Sequence, residues 1–335
     1  MMRKSGTILQ DETLKELLTA EAQDTIDVRL SVMNRVREIH ERSSGKKTVR
    51  RKTGAIVMIA SLIIVLTSLT GLAASRYVQI LNPKGEVIVE TKEIKEDAFT
   101  PHAKTYHEMR SAYREHVLGM LKPGELVAYY VHDDTLNAYD TGNKVQSVYK
   151  PMEHSSYEAF EKQLEMTKGP LFLKPKYLPQ GFSFEAGNVF PSMMEGEASL
   201  ENLKRLEPEF IRMAETSTSD SKLFIKPLSW NTAGSANARY ANGEDTINFN
   251  AYVRKKSPSS VTTMHPEGVF VEKLTAGGQE MVYMEAKTEE VAEAHYKHKL
   301  EWLDEEAEVF YSIYDNQNST LSKSEFVRIV ESALK

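Results

Sequence analysis

The sequence predicts an α+β protein: mostly antiparallel sheet with packed helices outside a membrane, a single transmembrane helix, and a short helical cytoplasmic segment. Three observations carry this. Residues Thr53 to Ser75 hold no charged side chain. From Tyr77 onward, short apolar or alternating runs are separated by Pro, Gly and Asn turns, the pattern of strands joined in hairpins. Between them lie a few stretches of helical period, and many antiparallel strands with a few helices spell α+β.

The uncharged run makes about 34 Å of helix at ~1.5 Å per residue, enough to cross a hydrocarbon core of roughly 30 Å with some tilt. Lipid offers no partners for backbone N–H and C=O groups, so the span must be helical. Helices of soluble cores are rarely uncharged for so long. Arg42, Lys46, Lys47, Arg50, Arg51 and Lys52 precede the run, whereas Arg76 stands almost alone after it until Lys84. Basic residues stay inside, so the N-terminus is expected in the cytoplasm and the C-terminal mass outside, in the cell membrane as a single-pass protein. Gly71, Ala73, Ala74 and Ser75 imitate a signal-peptide cleavage site, but the apolar run is about twice a typical h-region. A long polar segment also precedes it, which argues for an uncleaved anchor. The expected parts are therefore 1–52 cytoplasmic, 53–75 transmembrane, 76–168 membrane-proximal and 169–335 a C-terminal outer domain.

The outer part of this 335-residue chain is long enough for a substantial core, and 41% hydrophobic content is ordinary for a globular protein. A net charge of −6 argues against direct nucleic-acid binding; topology and attraction to anionic membrane lipid account for the basic cluster at 46–52. There is no cysteine, which excludes disulfides, thiolate metal sites and cysteine nucleophiles.

The cytoplasmic segment carries two helical patterns. Leu14, Leu17 and Leu18 follow Asp11-Glu12, negative charge placed where a helix N-terminus favours it. Val28, Val32, Val36 and Ile39 repeat on one narrow face after Asp27, a residue suited to an N-cap. Such short helices are marginal alone. The uncovered apolar face is the candidate partner-binding surface, facing a partner protein or the inner membrane surface. The plain alternative is a juxtamembrane helix without a specific role.

Outside, Tyr77–Leu81 and Glu86–Glu90 read as strands around the tight turn Asn82-Pro83-Lys84-Gly85. A helix follows with Tyr106, Met109, Tyr113, Val117 and Met120 on one face, ended by Pro123-Gly124. Leu126–Val131 is a buried strand, with Val145–Tyr149 as its partner, and a helix at about 156–167 packs through Phe160 and Leu164. A proline-broken stretch runs from Lys168 to Phe184. The next helix, about 199–214, is interrupted or bent near Pro208. Strands are expected at Leu223–Ile225, Thr246–Arg254, Val269–Lys273 and Glu280–Glu285, the last two joined through Gly277-Gly278. A hairpin of 296–302 with 309–314 would turn Tyr296, Leu300 and Trp302 inward against Val309, Tyr311 and Ile313. Ser322-Lys323-Ser324-Glu325 is a capping box opening a final helix whose Phe326, Ile329, Val330 and Leu334 cover the sheet.

Tyr177-Leu178-Pro179-Gln180-Gly181-Phe182 at the start, with Leu300-Glu301-Trp302, Val309 to Ile313 and Leu321 to Ser332 at the end, resembles an uncharacterised extracytoplasmic domain. That domain occurs in membrane-anchored, anti-sigma-factor-like and sporulation-associated proteins of Gram-positive bacteria. The resemblance covers roughly residues 170–335, and the stretch from Asp27 to Val36 is similar to the juxtamembrane part of such proteins. It implies a cytoplasmic sigma factor as a partner of residues 1–52. The absence of cysteine departs from zinc-type anti-sigma domains, so any such binding works without that metal site.

No motif carries chemistry. His295 and His298 point to opposite faces if they lie on a strand. Asp315 to Ser319 imitates a calcium loop but has Thr320 and Phe326 where Gly and Glu are required. Asp133-Asp134 and Asp304-Glu305-Glu306 read as solvated turns, and Met193-Met194 as an adaptable loop. No catalytic residue, metal site or cofactor is expected, and the protein is not read as an enzyme. Two functional readings remain. One is a membrane regulatory or signalling protein with an outer sensing or binding domain for an unknown ligand. The other is an anchored envelope binding or structural protein without a cytoplasmic regulatory role.

Overall fold

The computed structural model describes residues 77–94, 101–140, 142–218, 221–254, 260–286, 291 and 294–334. The candidate partner face of Val28, Val32, Val36 and Ile39, and the apolar run 53–75, lie outside the described residues. Among the described residues no helix is long and apolar enough to cross a membrane.

The fold is α+β and its sheets are mostly antiparallel. A hairpin of β1 (Gln79–Leu81) and β2 (Val87–Ile94) closes on Asn82, whose side chain accepts the N–H groups of Lys84 and Glu86. Helix α1 (Pro101–Met120) presents Tyr106, Met109, Tyr113 and Val117 to an apolar cluster. Met120, expected on that face, is exposed; Leu118 and Leu121 take its place as the helix ends. Then come β3 (Leu126–Val131), α2 (Asp134–Tyr139), β4 (Val145–Tyr149) and α3 (Tyr157–Met166). Asp133 is the N-cap of α2, accepting from Thr135 and Leu136, so the acidic pair there builds a short helix and not merely a solvated turn. Next are β5 (Ser183–Pro191) and α4 (Leu200–Thr216), a single helix that runs through Pro208.

Strand β6 (Leu223–Leu228) pairs with β3, giving a three-stranded sheet in the order β4-β3-β6. Val127, Tyr129 and Val131 pack towards α1, while Ala128 and Tyr130 pack towards α4. Both faces of β3 are therefore covered, the physical reason it reads as an unbroken apolar run.

The chain continues through β7 (Ala233–Asn242), β8 (Asp245–Val253), β9 (Val261–Pro266), β10 (Phe270–Ala276) and β11 (Gln279–Glu285). It closes with β12 (His298–Asp304), β13 (Val309–Asp315) and α5 (Lys323–Leu334). Seven strands form one antiparallel sheet in the order β10-β11-β12-β13-β8-β7-β5. Gly277 and Gly278, with φ of 58° and 87°, make the two-residue turn between Ala276 and Gln279. Phe160 and Leu164 of α3, with Phe326, Ile329 and Val330 of α5, pack into the main core together with Leu300, Trp302, Val309, Tyr311 and Ile313. Tyr296 departs from the inward set. The strand begins only at His298, so the alternation does not reach back to Tyr296, which joins the cluster on the other side of the sheet.

That second side is covered by a small sheet, β1-β2-β9, in which β9 runs parallel to β2. Ile80 and Val89 there meet Val271, Val282 and Met284 of β10 and β11. The cover is partial: Tyr252 of β8, on the same side, stays 43% exposed. The uncovered part of this face is where a site forms.

Candidate functional site

Strand register lays three rows of side chains across this second face, because residues directly opposite one another share a face. One row is Ser235, Tyr252, Phe310 and Leu303. The middle row is Asn188, Asn237, Asn250, Ser312, Glu301 and Val282. The third is Arg239, Asn248, Tyr314, Lys299 and Met284. Polar groups thus run across the middle of five strands, with aromatic rings on either side.

Hydrogen bonds tie the middle row together. Asn237 Nδ2 donates to Asn250 Oδ1 at 2.9 Å, and Asn250 Nδ2 to the Ser312 carbonyl at 2.9 Å. Ser312 Oγ donates to Glu301 Oε1 at 2.9 Å, and the Lys299 ammonium reaches that same oxygen at 2.6 Å. Glu301's side chain is only 5% exposed. Its other oxygen, Oε2, is shielded from solvent and meets no donor among the described residues. A buried carboxylate with one oxygen unpartnered is costly to keep, and such sites call for a ligand or an ordered water. The Glu301 charge extends to its neighbours. Burial, then Tyr314, then Glu301 raise the Tyr252 phenol, while burial and then Glu301 raise that of Tyr296. Both hydroxyls therefore stay protonated, as donors, well into alkaline solution.

Around this floor is a cleft of about 720 Å³, within the usual range for ligand sites. Its walls are apolar: Tyr252, Phe310 and Tyr314 from the sheet, Val261 and Pro266 from the ends of β9, and Met193 and Met194 from the loop after β5. Both methionines are exposed, 49% and 56%. Gly234 lets that loop approach, since a Cβ there would stand 2.8 Å from the Ser192 Cα. At the far end Arg254 donates through Nη2 to the Ser260 carbonyl at 2.7 Å. The arrangement can enclose a ligand and hold it by a few buried polar groups.

Of the histidines singled out in the sequence, His295 lies at the exposed edge of this cleft. His298 points into the main core on the other side, bonded to Asp315 Oδ2 at 2.6 Å and stacked between Tyr283 and Phe326. No cluster of three or more His, Cys, Asp or Glu side chains suited to a metal occurs among the described residues. Glu301, Ser312, Asn250 and Lys299 were not visible as a site from sequence. The available signal was an acid at the centre of Leu300-Glu301-Trp302-Leu303, a run otherwise apolar on both faces.

Residues 230–332 match the domain family described as a domain of unknown function (DUF4367). No curated protein matches the chain, and no solved structure does. The matched stretch runs from just before β7 into α5 and includes the cleft floor of Tyr252, Lys299, Glu301, Phe310 and Ser312, but not Met193 and Met194. The C-terminal part of the chain thus carries an uncharacterised domain, and that domain supplies most of the cleft.

Proposed function

We propose that this protein is a membrane-anchored receptor whose outer domain binds a ligand in the cleft and whose cytoplasmic segment holds a regulator, in the manner of an anti-sigma factor. The observation that carries the binding role is the cleft floor itself: a buried, ion-paired carboxylate with an unpartnered oxygen, set beneath aromatic walls on an otherwise covered sheet. The uncharged run 53–75, the basic residues before it and the apolar face of Val28, Val32, Val36 and Ile39 support the anchor and the inner partner. Binding at the cleft transmits a signal only if the ligand favours one state of the anchored protein over another.

The test is transcript profiling under envelope stress in the native host, with the wild-type chain, a deletion and full-length Tyr252→Ala. The receptor reading expects the deletion to change transcription and Tyr252→Ala to blunt the stress response. A deletion effect with a wild-type response from Tyr252→Ala would separate the cleft from signalling. Wild-type transcription in both strains would leave an anchored envelope binding protein.

A further inference from the structure

We infer that the cleft's ligand is a short, uncharged peptide segment with apolar or aromatic side chains, held by a peptide N–H at Glu301; this rests on the cleft being the binding site proposed above. Three observations select this chemistry. First, the charged lining balances: Arg254 and Lys299 stand against Glu195 and Glu301, and Lys299 already neutralises Glu301 through Oε1. Among the described lining residues no net charge remains to draw a charged ligand.

Second, the walls are Met193, Met194, Val261, Pro266, Tyr252 and Phe310. Methionine and aliphatic walls accommodate apolar side chains of varied shape. Third, Glu301 Oε2 lacks a donor, as does no other carboxylate oxygen in this lining that is shielded from solvent among the described residues. An acyl chain could fill the walls but brings no N–H or O–H to that oxygen; a peptide brings both apolar side chains and a donor. The floor from β7 to β12 spans three strand spacings, about 14 Å, a fit to roughly four extended residues.

The experiment uses the full chain in lipid nanodiscs and affinity selection read by mass spectrometry. One probe is a library of acetylated, amidated tetrapeptides built from Leu, Val, Phe, Tyr and Ser. A second library has the same design with one Lys or Glu per member, and chitotriose serves as a saccharide probe. Wild type should retain members of the uncharged library at least tenfold over empty nanodiscs and over Tyr252→Ala. Tyr252 is half-exposed, so that variant tests the cleft without risking the fold. Glu301→Gln, checked for an unchanged melting temperature, should weaken retention at least fivefold. Equal retention by wild type and Tyr252→Ala overturns the inference, as does preference for the charged library. Chitotriose binding lost in Tyr252→Ala, without peptide retention, overturns the peptide assignment and keeps the cleft as a binding site.

Discussion

Trp302 and Tyr311 face each other directly across β12 and β13, their rings stacked with centroids 4.9 Å apart and planes 24° apart. Trp302 is 1% exposed, and the Tyr311 hydroxyl donates to the Leu171 carbonyl at 2.8 Å, tying the proline-broken segment to the sheet. Trp302→Ala removes one wall of this stack and leaves a cavity in the main core. A loss of about 3–5 kcal/mol is expected, seen as a lower urea midpoint by circular dichroism. An unmoved midpoint would contradict the burial of this ring.

Asp315 locks the start of β12 to the end of β13. Its Oδ1 accepts the N–H groups of Lys297 and His298, at 3.1 and 2.6 Å, and Oδ2 takes His298 Nδ1. Both side chains are almost wholly shielded, 2% and 0% exposed. Asp315→Ala strands three polar groups and is expected to cost at least about 1–3 kcal/mol, the penalty of a buried group left without its partner. Asp315→Asn retains an acceptor for the backbone and should cost less. Equal midpoints for the two variants in denaturant titration would mean the backbone bonds contribute nothing.

The capping box of α5 gives a pH-dependent contribution of defined sign. Ser322 Oγ donates to Glu325 Oε2 at 2.7 Å and its N–H to the same oxygen at 3.1 Å, while Glu325 N–H returns to Ser322 Oγ at 3.3 Å. The Ser322 hydroxyl first, and then its N–H, hold the Glu325 carboxyl below its ordinary value. A folded pKa below the unfolded one stabilises fully above the unfolded value and fades as pH falls through the folded value. Ser322→Ala should cost about 1 kcal/mol at neutral pH. The melting-temperature gap between wild type and Glu325→Gln should be open at pH 7 and narrow as pH falls below the ordinary glutamate range. A constant gap would detach the cap from the carboxylate's charge.

Local signals explain which elements were legible. The Gly277-Gly278 turn, the Ser322 box and the Phe160/Leu164 spacing each state their chemistry within a few residues, and each forms as read. Strand β7 does not announce itself. Ala-Gly-Ser-Ala-Asn-Ala has weak strand preference, and the strand exists because β5 and β8 pair with it on both sides and bury Ala236 and Ala238. Strand β9 is held by a parallel partner some 170 residues earlier, which no local pattern encodes. Helix α2 is too short for periodicity to show. The cleft was hidden for a related reason. Glu301 and Ser312 become a site only when register sets them opposite each other and the small sheet leaves that face partly open.

The inner segment supplies the last test of the regulatory reading. If the face of Val28, Val32, Val36 and Ile39 holds a cytoplasmic sigma factor, carboxylates placed on it must desolvate at the contact and expel the partner. Changing Val32 and Val36 to Asp in the full chain should therefore abolish recovery of that partner from native cytoplasm by affinity capture. Topology should be untouched, because the charges that set it lie at Arg42 and from Lys46 to Lys52, beyond the altered face. A reporter fused after Lys335 should stay active outside the cell in wild type and double variant alike, and protease added to protoplasts should remove the outer domain from both. The single span proposed for residues 53–75 offers no evident two-state element, so removal of the anchored protein by proteolysis is the simpler route to partner release. Recovery of the same partner by wild type and the double variant would sink the proposed contact face. Recovery of none by the wild type would leave the segment as an anchor and orienting arm for the outer domain.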